Sequence, residues 1–143
     1  MRQFTQKFFF FLLVVSMSSC TGKGRWSATE MWFMAVEEDP NVKQIPIPAH
    51  EQHRRVLCTS YGLGCVPGSG KRIELKGVEI VVVEFENEEF AKKEAYRLNQ
   101  MYARNWLFDE VMKEPVVKSF IKRVYCAEDP HLAQNEKQDC EVK

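Results

Sequence analysis

Residues 72–85 read RIELKGVEIVVVEF, and how this stretch is divided decides the fold. Lys76-Gly77 separates two runs of alternating and β-branched residues, which is the spacing of a two-residue hairpin turn, although lysine is an unusual first residue for one. In the second run Val78, Ile80 and Val82 fall on one face of a strand, and Val81, Val83 and Phe85 on the other. Both faces are apolar, so the strand is expected at the centre of a sheet, covered on both sides.

Downstream of this strand, Asn87 suits a helix N-cap, and Glu88 and Glu89 suit the positive end of the helix dipole. Phe90, Ala91, Ala95, Leu98, Met101 and Tyr102 recur as one buried stripe, with Lys92, Lys93, Glu94 and Arg97 expected to face water. Trp106 to Val111 reads as the next strand. A strand, a helix of about 17 residues and a second strand make a right-handed crossover. Pro115 then opens a further helix, with Val116, Val117, Phe120, Ile121 and Val124 as its stripe.

Upstream, Ser27-Ala28-Thr29-Glu30 matches a capping box, followed by the apolar run Met31–Val36 and a stop at Glu37-Glu38-Asp39-Pro40. An apolar run over two turns requires cover from the core, from a partner or, through Trp32 and Phe33, from a membrane surface. Residues 39–49 hold three prolines and read as a stiff extended connection. Arg54 to Thr59 suggests a short strand, and Thr59 to Lys71 a glycine-rich loop. The expected architecture is a single small α+β domain over residues 27–143, its helices packed on a small mixed sheet. A ferredoxin-like plait is the leading specific form, with a polar C-terminal segment from Ala127 onward.

The first nineteen residues have a different character. Arg2 and Lys7 precede the apolar run Phe8–Val15, and Ser16-Met17-Ser18-Ser19 follows, which is the layout of a secretory signal peptide. The apolar run is too short to span a bilayer, which takes about 20 residues. Ser16-x-Ser18 also satisfies ordinary small-x-small cleavage, which would leave Cys20 as a plain thiol. Met17-Ser18-Ser19-Cys20 resembles the lipobox of bacterial lipoproteins, with Met17 where that family most often has leucine. The resemblance covers only these first twenty residues. It implies cleavage before Cys20, a lipidated Cys20 as the new N-terminus, and residues 20–26 as anchor and tether. Thr21 after the cysteine, rather than aspartate, implies the outer membrane, facing the periplasm or the cell surface.

Five cysteines make an odd set, and a lipidated Cys20 leaves Cys58, Cys65, Cys126 and Cys140 for disulfides in an oxidising compartment. Three pairings are open to four cysteines. The local one, Cys58 with Cys65 and Cys126 with Cys140, is preferred because each pair brackets a segment with no other means of ordering. Neither spacing is the tight C-x2-C of structural zinc sites. The whole chain carries 20 basic and 20 acidic side chains. Residues 1–19 hold two of the basic ones, so the remainder has 18 against 20, a net charge of −2, and nucleic acid is not an expected partner.

Other chemistry-bearing patterns are incomplete. His50-Glu51-Gln52-His53 places its histidines at i, i+3, one residue short of H-E-x-x-H, and His131 lies in the polar tail. Gly68-Ser69-Gly70-Lys71 lacks the first glycine and the final hydroxyl of a phosphate loop, with Cys65 and Arg72 in those places. Glu84, Glu86, Glu88 and Glu89, and Asp109 and Glu110, are expected as capping or solvated carboxylates. No G-x-S-x-G is present. The sequence therefore supports neither an enzyme nor a metal or other cofactor. It points to an envelope lipoprotein with a domain acting as a binding or structural module toward an envelope protein partner. An inhibitor or immunity-type protein against a secreted hydrolase is the alternative.

Overall fold

A computed structural model describes residues 24–132 and residue 140. The expected signal peptide and Cys20 lie outside the described residues. The elements are α1 (Ala28–Glu38), β1 (Lys43–Gln44), β2 (Lys71–Leu75), β3 (Val78–Glu84), α2 (Glu88–Leu98), β4 (Met101–Ala103), β5 (Trp106–Asp109) and α3 (Pro115–Tyr125). Together they form the expected small α+β domain, braced by disulfides Cys58–Cys65 and Cys126–Cys140.

The β2–β3 hairpin turns where the sequence indicated: Lys76 and Gly77 both take positive φ, 52° and 77°, as a primed turn demands. The cost of a non-glycine residue there is offset by contacts of Lys76. Its ammonium pairs with Asp39 at 2.8 Å and lies over the Phe120 ring, 5.5 Å from the centroid. The sheet order is β1-β2-β3-β5-β4, so β3 is central. Ile80 and Val82 face a core shared with α1 and α3, while Val81, Val83 and Phe85 face α2. The molecule is therefore three layers thick, with the two-sided apolar strand in the middle.

Every strand pairing is antiparallel, where a mixed sheet was expected. The helical stripe continues only to Leu98, because Asn99 turns left-handed (φ 53°) and caps the helix. Met101 and Tyr102 keep the helical spacing by coincidence. They belong instead to β4, with Met101 in the α1/α3 core and Tyr102 in the α2 core. The crossover from β3 thus arrives at β4, and β5 turns back between them through Arg104-Asn105. β3 and β4 run in the same direction with β5 inserted, a split βαβ unit. The β3-α2-β4-β5-α3 run follows five elements of the ferredoxin-like order, but α3 lies on the face opposite α2.

Three smaller corrections follow from local packing. Arg54–Thr59 is not a strand. Two 3-10 turns, Ala49–Arg54 and Cys58–Ser60, take up its ends, while Arg54 pairs with Glu79 (2.7 Å) and Val56 packs against Gly70. Val116 is exposed, and Tyr125 takes its place in the buried stripe of α3. Trp106–Val111 shortens to Trp106–Asp109, since Glu110 adopts φ 64° and leaves the ladder.

Candidate functional site

The Cys58–Cys65 segment stands on the α2 side of the sheet, and several attachments fix its backbone. The Gly62 N–H donates to Glu94 Oε1 (3.0 Å), and the Glu86 N–H donates to the Gly64 carbonyl (2.8 Å). The Val66 N–H donates to the Glu84 carbonyl (2.9 Å), and Cys65 forms a β-bridge with Phe85. The Tyr61 hydroxyl donates to Asp109 Oδ2 at 3.0 Å. Burial first, then the Asp109 charge, holds that hydroxyl protonated well above the ordinary tyrosine range.

Two glycines allow this close seating. A Cβ at Gly62 would come within 2.6 Å of the Glu94 carboxylate, and one at Gly64 within 2.3 Å of the Phe90 ring; Gly64 also has φ 82°. At Gly64 the Phe90 ring and the positive φ, a conformation that glycine supplies freely, exclude a side chain, while at Gly62 a side chain would displace the Glu94 carboxylate from its bond to the loop. Between them Leu63 projects with 81 % of its surface exposed. An apolar side chain thus sits at the tip of a loop held by a disulfide and by backbone hydrogen bonds on both sides.

Glu94 was expected in water and is instead buried, 4 % exposed, accepting from Gly62 and from the Arg97 guanidinium. The helix pattern could not show this, because the cover comes from a loop 32 residues earlier. A second polar hub that the sequence did not reveal is Asn105, fully buried in the β4–β5 turn. Its Oδ1 accepts from the Trp26 N–H (2.7 Å) and its Nδ2 donates to the Trp26 carbonyl (3.2 Å). Trp106 Nε1 donates to the same carbonyl (2.9 Å), the Arg104 guanidinium lies 4.3 Å over the Trp26 ring, and Arg25 pairs with Glu84 (2.9 Å). The chain entering the domain is therefore clamped at Arg25-Trp26, one residue before the Ser27 N-cap of α1. That capping box is complete, with Ser27 and Glu30 satisfying each other's backbone N–H.

On α1 the apolar run divides. Met31 and Ala35 enter the core, Met34 and Val36 are half-buried, and Trp32 and Phe33 stay 37 % and 66 % exposed. Trp32 forms one wall of an apolar groove of about 210 Å³, floored by Ile73, Val82, Trp106 and Tyr125, with Ser69 and Lys71 among its lining residues. The groove holds no converging set of acids or bases.

The remaining candidates do not converge on a common site. His50 and His53 lie exposed on the first 3-10 turn, and among the described residues no cluster of three or more His, Cys, Asp or Glu is arranged to hold a metal ion. Gly68–Gly70 leads into β2, whose first residue is Lys71, with Ser69 Oγ hydrogen-bonded to the Glu84 backbone. Glu89 pairs with Lys93 and Glu110 with Arg72, while Glu86 and Glu88 are exposed around the start of α2. No protein-family model, curated protein or solved structure matches the chain.

Proposed function

We propose that this protein is a small bacterial envelope lipoprotein, anchored by lipid on Cys20, whose domain acts by binding an envelope protein through the Cys58–Cys65 loop. The address rests on the resemblance of residues 1–20 to a lipoprotein signal and lipobox, with the outer membrane favoured by Thr21. The binding role rests on one observation, the exposed Leu63 on a braced loop. An apolar side chain on a loop with little freedom left to lose is an economical anchor, since little ordering entropy remains to oppose association.

The test combines mass and crosslinking. Protein purified from native envelopes should have the mass of a chain that begins at Cys20 with acyl groups attached, and Cys20→Ser should move it from the membrane to the soluble fraction. A photo-crosslinking residue at position 63 should yield one discrete protein adduct, competed by excess purified domain and not by its Leu63→Asp variant. An unacylated soluble protein would end the anchor reading, and failure of the domain to compete would end the loop reading.

The same loop favours one specific second reading. A lone apolar side chain on a disulfide-closed loop has a form that enters the specificity pocket of a hydrolase, as an inhibitor or immunity-type protein requires. In that case the adduct at position 63 is a secreted hydrolase whose activity the purified domain abolishes and the Leu63→Asp variant does not.

A further inference from the structure

From the other side of the sheet we infer a second contact: Trp32 and Phe33 of α1 dock on the surface of the bilayer that holds the lipid anchor. This inference rests on the anchored reading above. Its first support is chain length. Six Cα–Cα steps separate Cys20 from Trp26, at most roughly 20 Å of chain, and Trp26 itself is clamped by Asn105 and Trp106. Phe33 lies five residues beyond Ala28, the first residue of α1, about 8 Å of helix. A domain of this size has a radius of gyration of roughly 13 Å, so the tether keeps the start of α1 within about one domain diameter of the membrane.

The second support is chemical. Trp32 and Phe33 are adjacent large apolar side chains, both exposed, on the helix that follows the tether. Tryptophan settles at the headgroup level of a bilayer, and phenylalanine belongs to the apolar face of helices that lie in that interface. The charges on α1 are acidic, Glu30, Glu37 and Glu38, and Glu38 is paired with Arg123. Attraction to anionic lipid therefore does not drive the contact. The occupant is a neutral or zwitterionic lipid surface, and two side chains hold it only because the tether supplies a high effective concentration. The geometry also leaves the Leu63 loop free, since that loop packs with α2 on the opposite face of the sheet.

Trp32 reports this contact directly, because Trp26 and Trp106 are buried. With the other four cysteines in disulfides, Cys20 offers a thiol through which the chain from residue 20 onward can be coupled to a maleimide phospholipid. This is done in phosphatidylcholine vesicles with and without brominated acyl chains. The coupled wild type should show at least threefold more bromine quenching than Trp32→Phe, and Phe33→Glu should remove most of that difference. Leu63→Asp should leave it unchanged, and uncoupled protein at the same concentration should show none. Equal quenching in wild type and Trp32→Phe would overturn the inference. So would quenching that survives Phe33→Glu or is lost with Leu63→Asp. Because the link is chemical, this result stands apart from natural acylation: a native protein lacking acyl groups ends the anchor reading, while the vesicle measurement still decides the contact.

Discussion

The two faces of the sheet are stabilised in different ways. Under α1 and α3 lies the larger core, with Phe108, Phe120, Trp106 and Tyr125 among its buried rings. Phe108 and Tyr125 stack at 5.1 Å, and the Tyr125 hydroxyl donates to the Met31 carbonyl at 2.8 Å. Under α2 the core is smaller, and the helix contributes mainly Ala91 and Ala95 to it. There the chain adds cross-links: the Cys58–Cys65 disulfide, the Glu94–Gly62 and Tyr61–Asp109 hydrogen bonds, and the Arg54–Glu79–Arg72 ion network at its rim. Apolar area can hold a face without fixing any one side chain, whereas directional and covalent links hold a loop in one shape. The α1/α3 face has links of its own, Cys126–Cys140 at the end of α3, Lys76–Asp39 and Asn105–Trp26. The smaller α2 core leans on its links more heavily, and that is the face that presents Leu63.

This contrast predicts a ranking of effects. Phe120→Ala, which removes a ring from the larger core, should cost about 4 kcal/mol in urea unfolding, the largest single loss on either side. Asn105→Ala strands the buried Trp26 N–H and should cost about 2 kcal/mol, with a blue-shifted Trp26 emission turning red as its clamp is lost. Replacing Cys58 and Cys65 together by serine should also cost about 2 kcal/mol. Its distinctive result is faster amide exchange at Gly62–Cys65, with exchange in α3 unchanged outside global unfolding. A uniform increase across both faces would show that the loop is not an independently braced unit.

The smallest effect is electrostatic and sits at the rim. Lys76, followed by the Asn41 backbone, holds the Asp39 carboxyl below its ordinary range, and Arg54 ahead of Arg72 does so for Glu79. A carboxyl whose folded pKa is depressed stabilises the fold above its unfolded pKa, and that stability is lost as pH falls through the folded value. The thermal midpoint should therefore be level near neutrality and decline below about pH 4. Lys76→Met should flatten that acid limb, and a limb of unchanged slope would remove Asp39 from the account.

Much of this was legible because it is local. The Lys76-Gly77 turn, the two-faced strand, the Ser27–Glu30 capping box and the paired cysteines each depend on neighbours in sequence. What escaped reading depends on cover from a distance. Glu94 sits on the polar side of its helix and is buried only because Gly62 is lowered onto it. Met101 and Tyr102 extend a helical period that the left-handed Asn99 interrupts, so the period runs on past the end of α2 and conceals β4, where the crossover arrives. Asn105 belongs to a turn with no marked pattern, and its role appears only when Trp26 arrives from 79 residues away. Leu63 carried a local signal, flanking glycines between two cysteines, but not the direction in which it points.

The most direct test of this two-sided account places a photo-crosslinking residue at position 33 or at position 63 of the protein, expressed with residues 1–19 in bacterial cells. The account predicts lipid adducts from position 33 and a discrete protein adduct from position 63. Protein adducts from position 33, or lipid adducts from position 63, would contradict it.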